Sequence, residues 1–289
     1  MAGTDTRRSA GCRVNLQHTA VWREALGQVP GADPAGEVDV QALAGGTHNS
    51  TFRVRTGQGA FVVRLHEPFT VELGVDRRRE AVLHAAAARA GLASRVLAAD
   101  PAGRYLVTEF LYGTAWRAAD MDNASRLEAL AQTLAQLHAL PAPEVPALDL
   151  HALLEAHVAK IAAQDAAAGR ELVPELTRAR DILARQADAN RPACIVHGDL
   201  THSNLIGPER PLLIDWEYAA VADPLADLAC LVAYYPQVLS HGAALLRSCG
   251  LAGSASLAAL AELAWVYQLL SNLWYRRLAL ARRHLPPAH

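Results

Sequence analysis

The stretch Ile195–Tyr218, IVHGDLTHSNLIGPERPLLIDWEY, sets Asp199 and Asn204 five positions apart on one short polar loop and places Asp215 directly after the apolar run PLLI. Apolar runs of three or four residues on either side of such a loop read as short strands. Two carboxylates and a carboxamide gathered at strand ends are hard oxygen donors, the set that divalent cations and a nucleophilic hydroxyl require.

Working outward toward the N-terminus, the pattern changes twice. LQHTAVWREALGQV has helical spacing and stops at the cluster PGADPAGE. VDVQALAGG, TFRVRT and AFVVRLH then alternate as strands do, DRRREAVLHAAAARAGL reads as a helix ending near Gly91, and RVLAAD and RYLVTEFLYG read as two more strands around DPAG. Between there and Arg191 the chain is helical, with Leu127, Leu130, Leu134 and Leu137 at three- and four-residue steps, and helices resume after the opening stretch. The expectation is an α+β chain of two lobes. It has a tail over 1–15, a lobe over 16–112 with a five-stranded antiparallel sheet and one helix, and a larger, mostly helical lobe over 113–289.

Composition narrows the partners. The chain has 289 residues, 52% hydrophobic and 19% charged with a formal charge of -2, a globular balance that points to neither nucleic acid nor an acidic membrane surface. Cys12, Cys194, Cys230 and Cys249 form no CxxC pair and read as reduced thiols, and the histidines show no zinc-type spacing. With no signal-like N-terminus and no run of about 18 apolar residues, a cytoplasmic protein is expected.

Phosphoryl transfer from ATP asks a protein for a group that handles the hydroxyl proton, magnesium ligands, a cation on the phosphates and a covering loop. In the protein-kinase pattern an Asp precedes a magnesium-binding Asn by five positions, and a second Asp further on holds the metal; Asp199, Asn204 and Asp215 have that spacing. Any one of them alone reads more simply as a turn or a cap. Three together, between apolar strands, favour a kinase-type site.

HGDLTHSN followed by LIDWEY and DPLADLA resembles the aminoglycoside phosphotransferase and choline kinase superfamily, a similarity that runs from GGTHNSTFRV through YLVTEFLYG to the terminal helices. The resemblance implies a protein-kinase-like two-lobed fold, ATP as co-substrate and Mg2+ as cofactor. It implies Asp199 as catalytic base, His197 as support for its loop, Asn204 and Asp215 as magnesium ligands, and Glu217 beside the metal or the acceptor. On the nucleotide side, Gly45 and Gly46 permit a tight turn whose N–H groups could approach phosphate, with Thr47, Asn49 and Ser50 as added donors. The family's strand lysine is replaced by Arg64, with Glu80 as its expected partner, and Glu109, Phe110 and Leu111 match the hinge that meets adenine.

The acceptor is sought in the C-terminal third. After Asp227 the only acidic residue is Glu262, among five arginines, which disfavours a polycationic aminoglycoside. Aromatic residues are frequent there, and aromatic faces suit a single delocalised or quaternary cation. Trp216, Glu217 and Tyr218 adjoin Asp215, and Tyr267 and Trp274 share a face of the last helix, so these five are the acceptor candidates. LIDWEYA with a late Trp/Tyr-rich helix resembles bacterial thiamine kinases and choline kinases, thiamine being narrowly preferred over choline or ethanolamine. Kinases of amino sugars, methylthioribose, homoserine or aminoglycosides share the fold, and Arg64 leaves a nucleotide-binding pseudokinase as the reading from another class.

Overall fold

The computed structural model describes residues 16–33, 36, 38–43 and 49–283. The chain divides into two compact units, one holding the residues up to Glu67 with Val96–Phe110, the other Pro68–Arg95 with the residues from Leu111 onward.

In the first unit, α1 (Leu16–Gly27) precedes β1 (Asp39–Ala42), β2 (Asn49–Thr56) and β3 (Gly59–His66). β4 (Val96–Ala99) and β5 (Tyr105–Glu109) return after the second unit's first segment. All five strands pair antiparallel in the order β1-β2-β3-β5-β4, with Val54 opposite Phe61 and Val63 opposite Val107. Alternation puts Phe61, Val63 and Leu65 on one face, where they form a core with Phe52, Val54, Val107, the α1 side chains Trp22 and Leu26, and Val29 just beyond that helix. Arg64 therefore faces away from α1 and is still only 8% exposed.

The second unit opens with α2 (Arg77–Arg89), capped by Asp76, whose side chain accepts from the N–H groups of Arg78 and Arg79. The sequence reading put this helix in the first lobe. The structure groups it with the second unit because Leu83 and Ala87 enter that unit's core, and Leu92 O accepts from Leu213 N at 2.9 Å. Helices α3 (Ala124–His138), α4 (Leu150–Gln164), α5 (Ala166–Glu171) and α6 (Val173–Ala187) follow. Asn123 caps α3, and Leu127, Leu130, Leu134 and Leu137 are buried along one stripe, as their spacing requires.

β6 (Cys194–Val196), β7 (Leu205–Ile206), β8 (Leu212–Leu213) and β9 (Ala220–Ala222) form two small antiparallel pairs, β6 with β9 and β7 with β8. Next come α7 (Leu225–Tyr234), α8 (Gly242–Ser248) and α9 (Leu257–Arg283). From Leu225 to Val232 α7 is buried all round, packed against α9. This apolar packing carries the small strand pairs, and the polar loop between β6 and β7 is built on it. Cys194, Cys230 and Cys249 are buried free thiols. Among the described residues no helix is long and apolar enough to cross a membrane.

Candidate active site

Asp227 is fully buried and is the anchor of the loop that follows β6. One of its oxygens accepts from His197 N at 3.0 Å and Gly198 N at 2.9 Å; the other accepts from His138 Nε2 at 2.9 Å. Burial pushes its carboxyl up, but the hydrogen bond and charge of His138, with the Gly198 N–H, outweigh it and hold the group below the usual carboxylate range. His138, the last residue of α3, thus carries a polar role. Gly198 has φ +77°, and a Cβ there would lie 2.6 Å from Tyr218 O, so glycine is required on both counts.

His197 is also fully buried. Its Nε2 donates to Ile214 O at 3.0 Å, while Nδ1 accepts from Asp199 N at 3.3 Å, which fixes one neutral tautomer. Burial drives its pKa down against the pull of Asp227. The ring therefore bridges the Asp199 loop to the segment carrying Asp215, a positioning role.

Asp199 receives one hydrogen bond on each carboxylate oxygen. Tyr234 OH donates to Oδ1 at 3.0 Å and Asn204 Nδ2 donates to Oδ2 at 2.9 Å, the latter also reaching Asp199 O at 2.9 Å. Its carboxyl is pushed up to about 7 by burial first, then by the charge of Asp215, with Glu217 adding; the bonds from Tyr234 and Asn204 pull the other way. Asp215 sits at φ +65°, a left-handed conformation that an aspartate adopts only when its neighbours hold it. Those neighbours are held: Ile214 N donates to Asn204 O at 3.0 Å, and Ile214 O accepts from His197.

This donor set fits a divalent cation. With its amide nitrogen bonded to Asp199, Asn204 would offer a metal its amide oxygen, and Asp215 would add a carboxylate. Magnesium commonly takes one or two protein oxygens and fills its remaining positions with water and phosphate. The negative charge that raises Asp199 is also what a bound cation offsets.

The acceptor candidates separate into two groups. Trp216 is fully buried, its Nε1 donating to Leu213 O at 3.0 Å, stacked on His84 with centroids 5.7 Å apart and edge-on to His197 at 4.9 Å. It packs where contact with an acceptor was expected, because position 216 turns inward between α2 and β6. Tyr267 is likewise part of the core, 7% exposed. Glu217 is 2% exposed and accepts from Arg77 Nη1 at 3.1 Å.

Tyr218 and Trp274 do come together, edge to face at 6.4 Å, and Tyr275 meets Trp274 at 5.0 Å. Burial pushes the Tyr218 hydroxyl far up, and Glu217, Asp199 and Asp215 add to it; Tyr234 is raised in the same way by burial and Asp199. Tyr218, Tyr234, Trp274 and Tyr275 thus gather beside the acidic group. Of four further participants, Arg77 and Asp227 were not singled out from the sequence, and Tyr234 and Tyr275 belong to its late aromatic residues but lie outside the five acceptor candidates. For two of them a signal exists, since Asp227 and Tyr234 are seven apart, two turns of α7, and so share a face.

In the first unit, Asn49 and Ser50 open β2 opposite His66 and Leu65. Arg64 Nε lies 3.3 Å from His66 Nε2. Glu109 ends β5, and Phe110 N donates to Ala60 O at 3.2 Å while Arg53 lies over the Phe110 ring at 4.4 Å. Gly45, Gly46 and Thr47 lie outside the described residues. Leu111 begins the second unit's longer segment, and Glu80, on the first turn of α2 in that unit, accepts from Arg77 Nη1 at 2.9 Å.

Residues 39–265 match the model of a phosphotransferase enzyme family. Among solved structures, the chain is similar to a choline/ethanolamine kinase family protein from Mesorhizobium loti, with TM-score 0.70 and 25% identity over 93% of this chain and 89% of that one. The choline kinase LicA from Streptococcus pneumoniae gives TM-score 0.74 and 19% identity over 94% of both chains, and LicA has also been solved in complex with AMP. The aminoglycoside phosphotransferase APH(3'')-Id from Streptomyces rimosus gives TM-score 0.59 and 22% identity over 90% of this chain and 99% of that one. Among curated proteins none matches the sequence closely enough to count as a relative.

Proposed function

The chain belongs to the phosphotransferase enzyme family and is a small-molecule phosphotransferase, and on that premise we propose that it moves the γ-phosphoryl group of ATP to the hydroxyl of choline or ethanolamine. The observation that carries this reading is the pairing of Asp199 with a ring cluster: a carboxylate bonded on both oxygens by Tyr234 and Asn204, beside Tyr218, Trp274 and Tyr275. Aromatic faces attract an alkylammonium group, and three nearby carboxylates, Asp199, Asp215 and Glu217, add negative potential. An acceptor docked by its cation on the rings would bring a hydroxyl two carbons away toward Asp199.

In this reading Asp199 orients that hydroxyl and takes its proton, which the raised pKa suits, since a base near neutrality both ionises and accepts. Asn204 and Asp215 would hold magnesium, which when bound neutralises phosphate charge. His197 holds the loop, and Arg64 is the proposed phosphate cation, with Asn49 and Ser50 as donors on the strand paired with it. The proposal of ATP draws on the nucleotide complex of LicA. Thiamine, the narrow preference from sequence, gains nothing from the similar structures, one of which is a choline kinase and another a choline/ethanolamine kinase family protein.

The test is ADP release with magnesium and ATP against choline, ethanolamine, thiamine and an amino sugar. Release dependent on choline or ethanolamine, absent in Asp199→Asn, is the expected result. Release dependent on thiamine alone, or on the amino sugar alone, would overturn the acceptor assignment.

A further inference from the structure

Arg77 is the first residue of α2, and its side chain is 8% exposed. Its side chain donates from Nη1 to Glu80 Oε2 at 2.9 Å and to Glu217 Oε2 at 3.1 Å, and from Nη2 to Thr70 Oγ1 at 2.9 Å. Glu80 and Glu217 are 1% and 2% exposed, so one cation binds two buried carboxylates that sit 137 positions apart in the chain (217 - 80). A planar guanidinium can do this with fixed geometry, whereas an ammonium supplies only a point charge.

The consequence concerns Asp215. Its left-handed φ of +65° is disfavoured for a residue with a side chain and persists only because the flanking residues are fixed. On the N-terminal side, Ile214 is tied to Asn204 and His197. On the C-terminal side, α2 supplies two ties: His84 stacks on Trp216, and Arg77 binds Glu217.

We propose that Arg77 is a positioning residue for phosphoryl transfer, holding Glu217 so that Asp215 keeps its left-handed conformation and so that α2 is fixed against the Asp215–Tyr218 segment. Asp215 as a metal ligand is part of the function proposed above, and the inference rests on it. Removing the guanidinium leaves Glu217 and Glu80 buried close to each other and to Asp215, and the segment shifts to separate them.

The experiment compares wild type with Arg77→Gln, Arg77→Lys, Glu217→Gln and the Arg77→Gln/Glu217→Gln pair. ADP release is measured with choline and, separately, with water as the acceptor, alongside thermal midpoints and the amide NMR shifts of Ile214–Tyr218 without nucleotide. The expected result is a kcat about a hundredfold lower in Arg77→Gln, the loss typical of displacing a reacting group by about an ångström, with KM for ATP within about threefold. The amide signals of residues 214–218 should move in the same variant. The double variant should lose no more than Arg77→Gln alone, because both changes break one contact. Arg77→Lys, expected to fold whatever Arg77→Gln does, should recover the thermal midpoint but less than a tenth of the lost rate.

A lack of choline-dependent release with ADP release to water intact would count against the proposed acceptor only, and the comparison would stand on the water reaction. Rates for Arg77→Gln within threefold of wild type, multiplied losses in the double variant, or full recovery in Arg77→Lys would each overturn the positioning role.

Discussion

Tyr234 and Asn204 each give one hydrogen bond to the Asp199 carboxylate, so it can rotate toward neither without losing the other. Tyr234→Phe removes one of these bonds to a charged group, and kcat is expected to fall about tenfold while the thermal midpoint changes little, measured by steady-state kinetics and calorimetry. Gly198 lies one residue away, with φ +77° and Tyr218 O where a Cβ would go. Gly198→Ala should cost about 2–4 kcal/mol of stability in chemical denaturation, from strain and overlap together. Asp199, Asn204 and Asp215 were legible in the sequence because their spacing is local and their residue types are chemically specific. Trp216 was misread for a physical reason: sequence adjacency to Asp215 says nothing about which way a side chain turns, and this one turns into the core.

At the scale of elements, α3 shows what periodicity can deliver. Leu127, Leu130, Leu134 and Leu137 were expected on one stripe, and each is buried. Leu134→Ala should cost about 2–5 kcal/mol by leaving a cavity in the largest core, read from the denaturation midpoint. Helix α2 marks the limit of that reasoning. Its existence and its Asp76 cap follow from local signals, but its grouping with the second unit goes with Leu83 and Ala87 joining that unit's core and with His84 and Arg77 meeting residues more than a hundred positions away. The bond between His138 and Asp227, 89 positions apart, was out of reach for the same reason: each residue alone reads as ordinary helix.

At the scale of the whole molecule, the second unit buries polar groups, and one of them sets a pH dependence. His157 on α4 is 1% exposed, faces Arg277 of α9 with 3.4 Å between nitrogens, and has its pKa pushed down to about 4 by burial first and by Arg277 second. An unfolded histidine titrates near 6.5, so between there and about 4 the unfolded chain binds the extra proton. Stability from this group is full above about 6.5 and is lost as pH falls toward 4, about 3 kcal/mol in all. His157→Asn should flatten the fall of the thermal midpoint across that window.

The α+β architecture and the phosphotransferase chemistry leave one reaction to observe directly. Transfer of the ATP γ-phosphoryl group to choline, followed by 31P NMR in the presence of magnesium for wild type and Asp199→Asn side by side, reads the bond that forms. The expected result is a phosphomonoester signal that grows with wild type and is absent with Asp199→Asn; an equal signal from both proteins would contradict the role given to Asp199 at the centre of the site.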